Sequence, residues 1–502
     1  MTDSSIEIGA MSYRGKLMAL IAGPILGLIS FFLLPDSYLD IAGNEVAFSY
    51  EGRACLAVTI WMAIWWFTEA LPIAATAMLP LVVYPLLQIT SAKEAMANYA
   101  SGTIFLFLGG FLFAAGIHRW HLDRRIALLT LSFFGTKPSQ MILGLMTATA
   151  FLSAWVSNTA TAAMMVPIAI AVLGVVRSTQ TSEEPSQEEK NFGIAVLLAI
   201  AYAASIGGMA TLIGSPPNGI FVRFMEQTYD RVISFTEWMT VAVPVVAVLM
   251  PVCYFLLTKV LFPCKIEGIP GGKEWVRREL LKLGPMSRGE KIVLVIFVVA
   301  ALCWIFGPLI RDIEINGSYP FKPLKDETIA MVAGLLLFVM PVDPRRGIHA
   351  LDWHSAKDVI AWDVLLLFGG GLTMAAAIQS TGAAALVGAQ ASVFANLGEI
   401  SMIAGVATLV TFATEVTSNT ALAATMMPLI AASAETLNMV PDAMLFTTAI
   451  AASCAFMMPV ATPPNAIVFG TGRLSIKDMV KAGFWLNVLG VVVITIVVKI
   501  LI

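Results

Sequence analysis

Charge is scarce in this chain. Only 13% of its 502 residues are Asp, Glu, Lys or Arg and 58% are hydrophobic, against about a quarter charged in an ordinary soluble domain. What charge exists is dispersed over loops, and a formal net charge of −3 leaves no basic face for nucleic acid. There are four histidines, none within an apolar run, so an intramembrane enzyme lacks its usual base and metal set. The five cysteines (Cys55, Cys253, Cys264, Cys303, Cys454) are odd in number and far apart. Neither a disulfide framework nor a metal spacing results, and they read as small packing residues. Long polar stretches are missing too, which excludes a soluble domain of useful size.

What is there instead is a succession of apolar runs, many near the ~20 residues that a bilayer-crossing helix requires. They fall near 15–35, 54–70, 71–88, 101–117, 126–135, 139–176, 192–221 and 238–262, then 291–310, 327–342, 364–380, 383–395, 399–436, 441–470 and 482–502. The first is long, lacks a small-residue cleavage site and leads into further runs, so it reads as a membrane helix rather than a leader. Asn316-Gly317-Ser318 matches a glycosylation pattern that often arises by chance. The chain reads as an all-α polytopic membrane protein.

A polar link at 263–290 separates two halves that repeat. SNTATAAMMVP from Ser157 matches SNTALAATMMP from Ser418, LFLGGF from Leu106 answers LLFGGG from Leu366, and GSPPNGI from Gly214 answers ATPPNAI from Ala461. The offsets are 261, 260 and 247 residues, so the same elements recur in the same order with one shorter connection. The 139–176 and 399–436 runs are too long for one span and break at Ser-Asn-Thr, which predicts two re-entrant hairpins with that motif at each tip. Irregular backbone at membrane depth is tolerated only where protein or a wet cavity satisfies its polar groups.

With those hairpins, and with the runs at 126–135 and 383–395 taken as tails of the spans before them, eleven crossings remain. An N-terminus on the inside then places 22 of the 30 Lys and Arg on inside segments. The positive-inside rule supports that orientation. One span followed by two five-span units makes the second unit an inverted repeat of the first.

The hairpin tips offer neutral oxygens, amide donors and helix ends. Carbonyl and hydroxyl oxygens suit a hard cation such as sodium, whereas half-helix N-termini and amide donors suit a carboxylate. Ser153 and Thr414, four residues before each motif, add a hydroxyl one turn earlier on the same face. The adjacent prolines of the two Pro-Pro-Asn breaks are expected to stop a helix and free carbonyls such as those of Gly214 and Ala461. One Ser-Asn-Thr would be ordinary glue between membrane helices. Two copies, each with a hydroxyl at minus four, Pro167 or Pro428 at plus ten and a downstream Pro-Pro-Asn, make coincidence the weaker explanation. Glu69 and Glu415 are the clearest acids within the runs; a buried acid is a functional candidate, and an interfacial or purely structural acid is the competing reading. His118 and His121 lack a third metal ligand, and Trp65 and Trp66 read as packing or lipid-facing groups.

With these motifs in place, the sequence resembles the divalent anion:sodium symporter family, the sodium-coupled dicarboxylate transporters. IWMAIWWFTEALPI from Ile60, SNTATAAMM, GSPPN, TSNTA from Thr417 and ATPPN carry the resemblance, which covers nearly the whole chain. The resemblance implies a homodimer in which a scaffold (1–137 and 291–397) supports a moving unit (138–262 and 398–502) in an elevator motion. It implies one sodium site at Ser153, Ser157, Asn158 and the Gly214 carbonyl, and a second at Thr414, Asn419 and the backbone near Thr417 and Ala461. Asn158, Thr159, Asn419 and Thr420 would bind the substrate carboxylates, with Ser215, Thr462 and Pro463 lining the cleft. Some members resemble sodium-independent dicarboxylate exchangers. A dianion in a low-dielectric cleft needs positive charge, and the few Lys within the runs stand at their ends rather than in their interiors, so bound sodium is expected to supply it. The expectation is import of succinate, fumarate or malate by sodium symport, with no organic cofactor, through a cell inner (plasma) membrane protein whose N-terminus is cytoplasmic and C-terminus outside. An ion channel would need a continuous pore lining in place of two occluding hairpins.

Overall fold

A computed structural model of the chain describes residues 13–39, 43–135, 137–178, 186–264, 272–391 and 398–502. Part of the expected link, 265–271, and the end of the 383–395 run lie outside the described residues.

The first half begins with α1 (Tyr13–Leu33) lying along α2 (Tyr50–Thr68), followed by α3 (Ile73–Ala77), α4 (Leu79–Leu86), the short α5 (Ala92–Ala97), α6 (Gly102–Arg119) and α7 (Leu122–Phe133). The hairpin α8 (Pro138–Ser153) and α9 (Asn158–Ser178) comes next, then the broken pair α10 (Gln187–Gly208) and α11 (Pro216–Tyr229), then α12 (Phe235–Phe255), which ends in a π turn over Leu256–Leu261. After the amphipathic α13 (Gly272–Leu283), the second half has α14 (Arg288–Ile305), α15 (Gly307–Arg311), α16 (Asp326–Val339), α17 (Trp353–Lys357), α18 (Trp362–Ser380) and α19 (Ala383–Ala391). Its hairpin is α20 (Glu399–Ala413) and α21 (Asn419–Thr436), its broken pair α22 (Pro441–Ala451) and α23 (Pro463–Phe469), and its last helix α24 (Ile476–Leu501). Two small antiparallel ribbons, Ser37–Leu39 with Glu45–Ala47 and Pro341–Asp343 with Ile348–His349, complete the described structure.

Seven helices among the described residues are individually long and apolar enough to cross a membrane. Outward-facing Leu17, Ile21, Leu28 and Phe32 on α1 present a surface suited to hydrocarbon. By contrast α10 and α22 are buried nearly all round, and each carries its own hairpin: α8 and α9 pack on α10, α20 and α21 on α22. The second pieces of the broken pairs cross over, α11 against α21 and α22, α23 against α9 and α10. The glycines of the LFLGGF and LLFGGG repeats allow helix backbones to touch. A Cβ on Gly109 would stand 2.7 Å from the carbonyl of Ala330 on α16, and one on Gly370 would run into Ala77 on α3. Serine N-caps at Ser186, Ser287 and Ser475, each boxed by an acid three residues on, fix where α10, α14 and α24 begin.

Two expectations change. The runs at 126–135 and 383–395 are separate helices rather than tails. His121 (φ 54°) divides α6 from α7 and Gly382 (φ 75°) divides α18 from α19, since a left-handed residue cannot continue a right-handed helix. The proline pairs do not end helices either. Pro216-Pro217 and Pro463-Pro464 occupy the first two positions of α11 and α23, where the missing N–H has no intrahelical partner to lose, while α10 has already ended at Gly208.

Candidate functional site

Both tips are built alike. Each serine of the motif caps the outgoing helix, Ser157 Oγ accepting from the Ala160 amide at 3.3 Å and Ser418 Oγ from that of Ala421 at 3.4 Å. Asn158 and Asn419 are therefore the first residues of α9 and α21, where free N–H groups and the helix dipole favour an anion. One turn earlier, the buried Ser153 Oγ lies 2.6 Å from Asn158 Oδ1 and 2.7 Å from the Ala204 carbonyl. Thr414 Oγ1 repeats this, 2.5 Å from Asn419 Oδ1 and 2.9 Å from the Ala452 carbonyl. A hydroxyl has one proton, so the second trio holds more lone pairs than hydrogens.

The first trio extends further. The amide position of Asn158 nearest Ser153 also lies 3.1 Å from the Ala204 carbonyl and 3.2 Å from that of Gly214. Occupied by nitrogen it donates to these oxygens; occupied by oxygen it completes an all-oxygen cage of the kind a hard cation takes. Gly208 and Gly214 make this approach possible. A Cβ on Gly208 would collide with the Asn158 amide and stand 2.9 Å from the Gly214 carbonyl, and one on Gly214 would be 2.5 Å from the Gly208 carbonyl. The groups that meet in both trios are hydroxyls, amides and backbone carbonyls, all neutral.

The breaks face these tips. Asn218 Nδ2 donates to the carbonyls of Gly208 (3.0 Å) and Thr211 (2.8 Å), and Asn465 Nδ2 to those of Ala455 (3.2 Å) and Met458 (3.0 Å), so each Pro-Pro-Asn asparagine ties the unwound segment to the helix after it. Ser215 and Thr462 precede the proline pairs. Thr462 Oγ1 accepts from the Asn465 amide at 3.4 Å, whereas Ser215 Oγ meets Ser453 Oγ at 3.0 Å, joining the two breaks to each other. The half-helices α9, α11, α21 and α23 thus begin where tips and breaks meet, and none of those junctions carries a Lys or Arg. Arg223 lies on α11 itself, paired with Glu226 at 2.6 Å about two turns beyond the prolines.

Of the expected substrate residues, Thr159 and Pro463 are exposed, Asn158 and Asn419 half-buried, and Thr420, Ser215 and Thr462 buried. Thr417 donates its hydroxyl to the Ala413 carbonyl at 3.0 Å, which leaves its backbone and the hydroxyl's lone pairs for a ligand. Glu415 is buried, beside Thr414, and accepts from backbone amides of the second break. Glu69 is exposed and caps α2 in the left-handed conformation rather than lying inside a span. Sequence reasoning passed over Ser453, whose signal was the Ala-Ala-Ser at 451–453 repeating that at 203–205, and Asn487, whose contact with Glu415 no repeat announces.

Residues 44–501 match the model of the sodium:sulfate symporter transmembrane region. The chain is 39% identical over 490 residues to the sodium-dependent dicarboxylate transporter SdcS of Staphylococcus saprophyticus, covering 97% of this chain and 92% of the relative. It is also 39% identical over 486 residues to the SdcS protein of Staphylococcus aureus strain RF122, covering 96% and 91%. Among solved structures, the fold resembles that of the Alcanivorax borkumensis YdaH transporter, with a TM-score of 0.56 at 11% identity over 96% of each chain.

Proposed function

The chain belongs to the divalent anion:sodium symporter family, and from that membership we propose that it is a secondary transporter importing C4-dicarboxylates by sodium symport. The observation that carries this reading is the close grouping of oxygens at both tips, Ser153 Oγ with the Ala204 and Gly214 carbonyls around the Asn158 amide and Thr414 Oγ1 with Asn419 Oδ1 and the Ala452 carbonyl. A cation completes such a cluster, and no protein cation is at hand to do so. In this reading Ser153, Ser157, Asn158 and the Gly214 carbonyl take one sodium. Thr414, Asn419 and the backbone of Thr417 and Ala461 take the other. Each shared asparagine then points its oxygen at sodium and its nitrogen at a substrate carboxylate, so the ion orients the donor the substrate needs. Thr159, Thr420, Ser215, Thr462 and Pro463 complete the cleft, with four half-helix N-termini adding positive potential.

Transport follows as an elevator motion of two such protomers. The unit of hairpins and broken helices (138–262 and 398–502) moves against a scaffold (1–137 and 291–397), and α7 and α19 connect the two through the left-handed joints at His121 and Gly382. The SdcS relatives are named for sodium-dependent dicarboxylate transport, which favours succinate, fumarate or malate as cargo. The test is succinate uptake into proteoliposomes under sodium, lithium and choline gradients. Strong uptake with sodium and little with choline is expected. Equal uptake under all three, driven by internal succinate, would instead mark a sodium-independent exchanger.

A further inference from the structure

The pseudo-symmetry of the two tips fails in charge at one residue. With the two Ser-Asn-Thr motifs superposed, Ala154 in the first tip stands where Glu415 stands in the second. Glu415 is 3% exposed, and burying a charge at this depth is costly, so its surroundings must return that cost. They do. Its Oε1 accepts from the backbone N–H of Phe456 at 2.7 Å, that of Met457 at 2.9 Å and the amide of Asn487 on α24 at 2.7 Å. Its Oε2 accepts from Met457 and Met458, both at 3.0 Å. Three consecutive backbone amides of the unwound stretch between α22 and α23 thus converge on one carboxylate, the arrangement of a backbone anion nest with the anion supplied by the protein.

This contact leads to the second ion site. Met458, whose N–H is held by Glu415, receives hydrogen bonds on its carbonyl from the Ala461 amide at 3.2 Å and from Asn465 Nδ2 at 3.0 Å. Ala461 supplies a carbonyl to the proposed site, and Thr414 is Glu415's own neighbour. The first tip has only a neutral equivalent, the Thr211 hydroxyl donating to the Ala154 carbonyl. We infer that Glu415 is a positioning residue for the second ion site: it fastens the tip of the second hairpin to the second break and to α24, fixing the Thr414 and Ala461 oxygens relative to each other before sodium arrives. This inference rests on the sodium-symport reading above.

The experiment is a sodium titration of succinate uptake in proteoliposomes with wild type, E415Q, E415D and N487A, each checked for monodispersity. A glutamine turns an NH2 toward backbone N–H groups that need an acceptor. E415Q is expected to raise the sodium concentration for half-maximal uptake about tenfold, equivalent to about 1.4 kcal/mol. Its KM for succinate at saturating sodium should stay within about threefold of wild type. E415D, which keeps the charge on a shorter stem, should recover part of the shift, and N487A should show a smaller shift in the same direction. A purely structural acid would lower the amount of folded protein or the maximal rate and leave sodium activation in place; that result overturns the inference. Should E415Q fail to fold, N487A decides: a raised sodium requirement supports the inference and an unchanged one overturns it. A wild type that ignores sodium would sink the symport reading itself, a separate outcome.

Discussion

The two hairpin tips carry the same groups and are held in place by different means. In the first, crowding does the work: Gly208 and Gly214 let two backbone segments close on Asn158 until no side-chain carbon fits between them. In the second, the carbonyls that Asn465 Nδ2 engages belong to Ala455 and Met458, the proposed ligand carbonyl to Ala461, and a buried acid draws the unwound segment to the tip. One oxygen cluster has thus been reached by steric closeness on one side and by electrostatic attraction on the other. A duplicated site need preserve its ligand atoms, but the scaffolding behind them is free to diverge.

The comparison breaks most sharply at Gly208. Gly208→Ala places a methyl against the Asn158 amide, and displacing that amide by about 1 Å is expected to cost about 100-fold in sodium-driven succinate uptake. The mirror change, Ala455→Gly, removes a buried methyl and should cost only a few-fold, mainly through stability. If both variants transported equally well, crowding would not be what builds the first site. A smaller effect is expected from exchanging the two hydroxyls. Ser153→Thr and Thr414→Ser keep the shared proton and should stay within about threefold of wild type in sodium half-activation. Ser153→Ala and Thr414→Ala leave the Asn158 and Asn419 amides without their hydroxyl partners and should raise it about tenfold. A tenfold loss in the serine–threonine swaps would mean that side-chain shape rather than the hydroxyl sets the sites apart.

Much of the symmetric part was readable from the chain, and the asymmetric part was not, for a physical reason. Ser153, Asn158, Thr414 and Asn419 announce themselves because a motif repeats at a fixed offset and helical spacing places the earlier hydroxyl on the same face. Backbone donors leave no such trace. Apart from the Asn487 amide, the partners of Glu415 are the N–H groups of Phe456, Met457 and Met458, which any residue but proline would offer at those positions, so the sequence shows an acid without its purpose. Ser215 and Ser453 are 238 residues apart and meet only because the second pieces of the broken helices cross between halves. The proline pairs misled for a related reason. Proline both ends and begins helices, and only the seven unwound residues from Met209 to Ser215 show which end these pairs occupy.

The weakest expected effect separates the two joints. His121 and Gly382 occupy equivalent positions between α6 and α7 and between α18 and α19, and both are left-handed. A methyl added at Gly382 meets nothing within 4 Å, so Gly382→Ala tests backbone preference alone and should cost about 1 kcal/mol. His121 already bears that strain, so His121→Gly exchanges it for the chain entropy of glycine and should leave stability nearly unchanged. Thermal melting in detergent should therefore show Gly382→Ala lowered by about 1–2 °C and His121→Gly unmoved. If these joints flex during transport, Gly382→Ala should also slow the maximal rate of succinate uptake while its sodium dependence stays put, because α19 meets α21 near Ala432 and Thr436, at the end away from Asn419. A shifted sodium curve would place the α18–α19 joint in the ion site rather than in the motion that carries it.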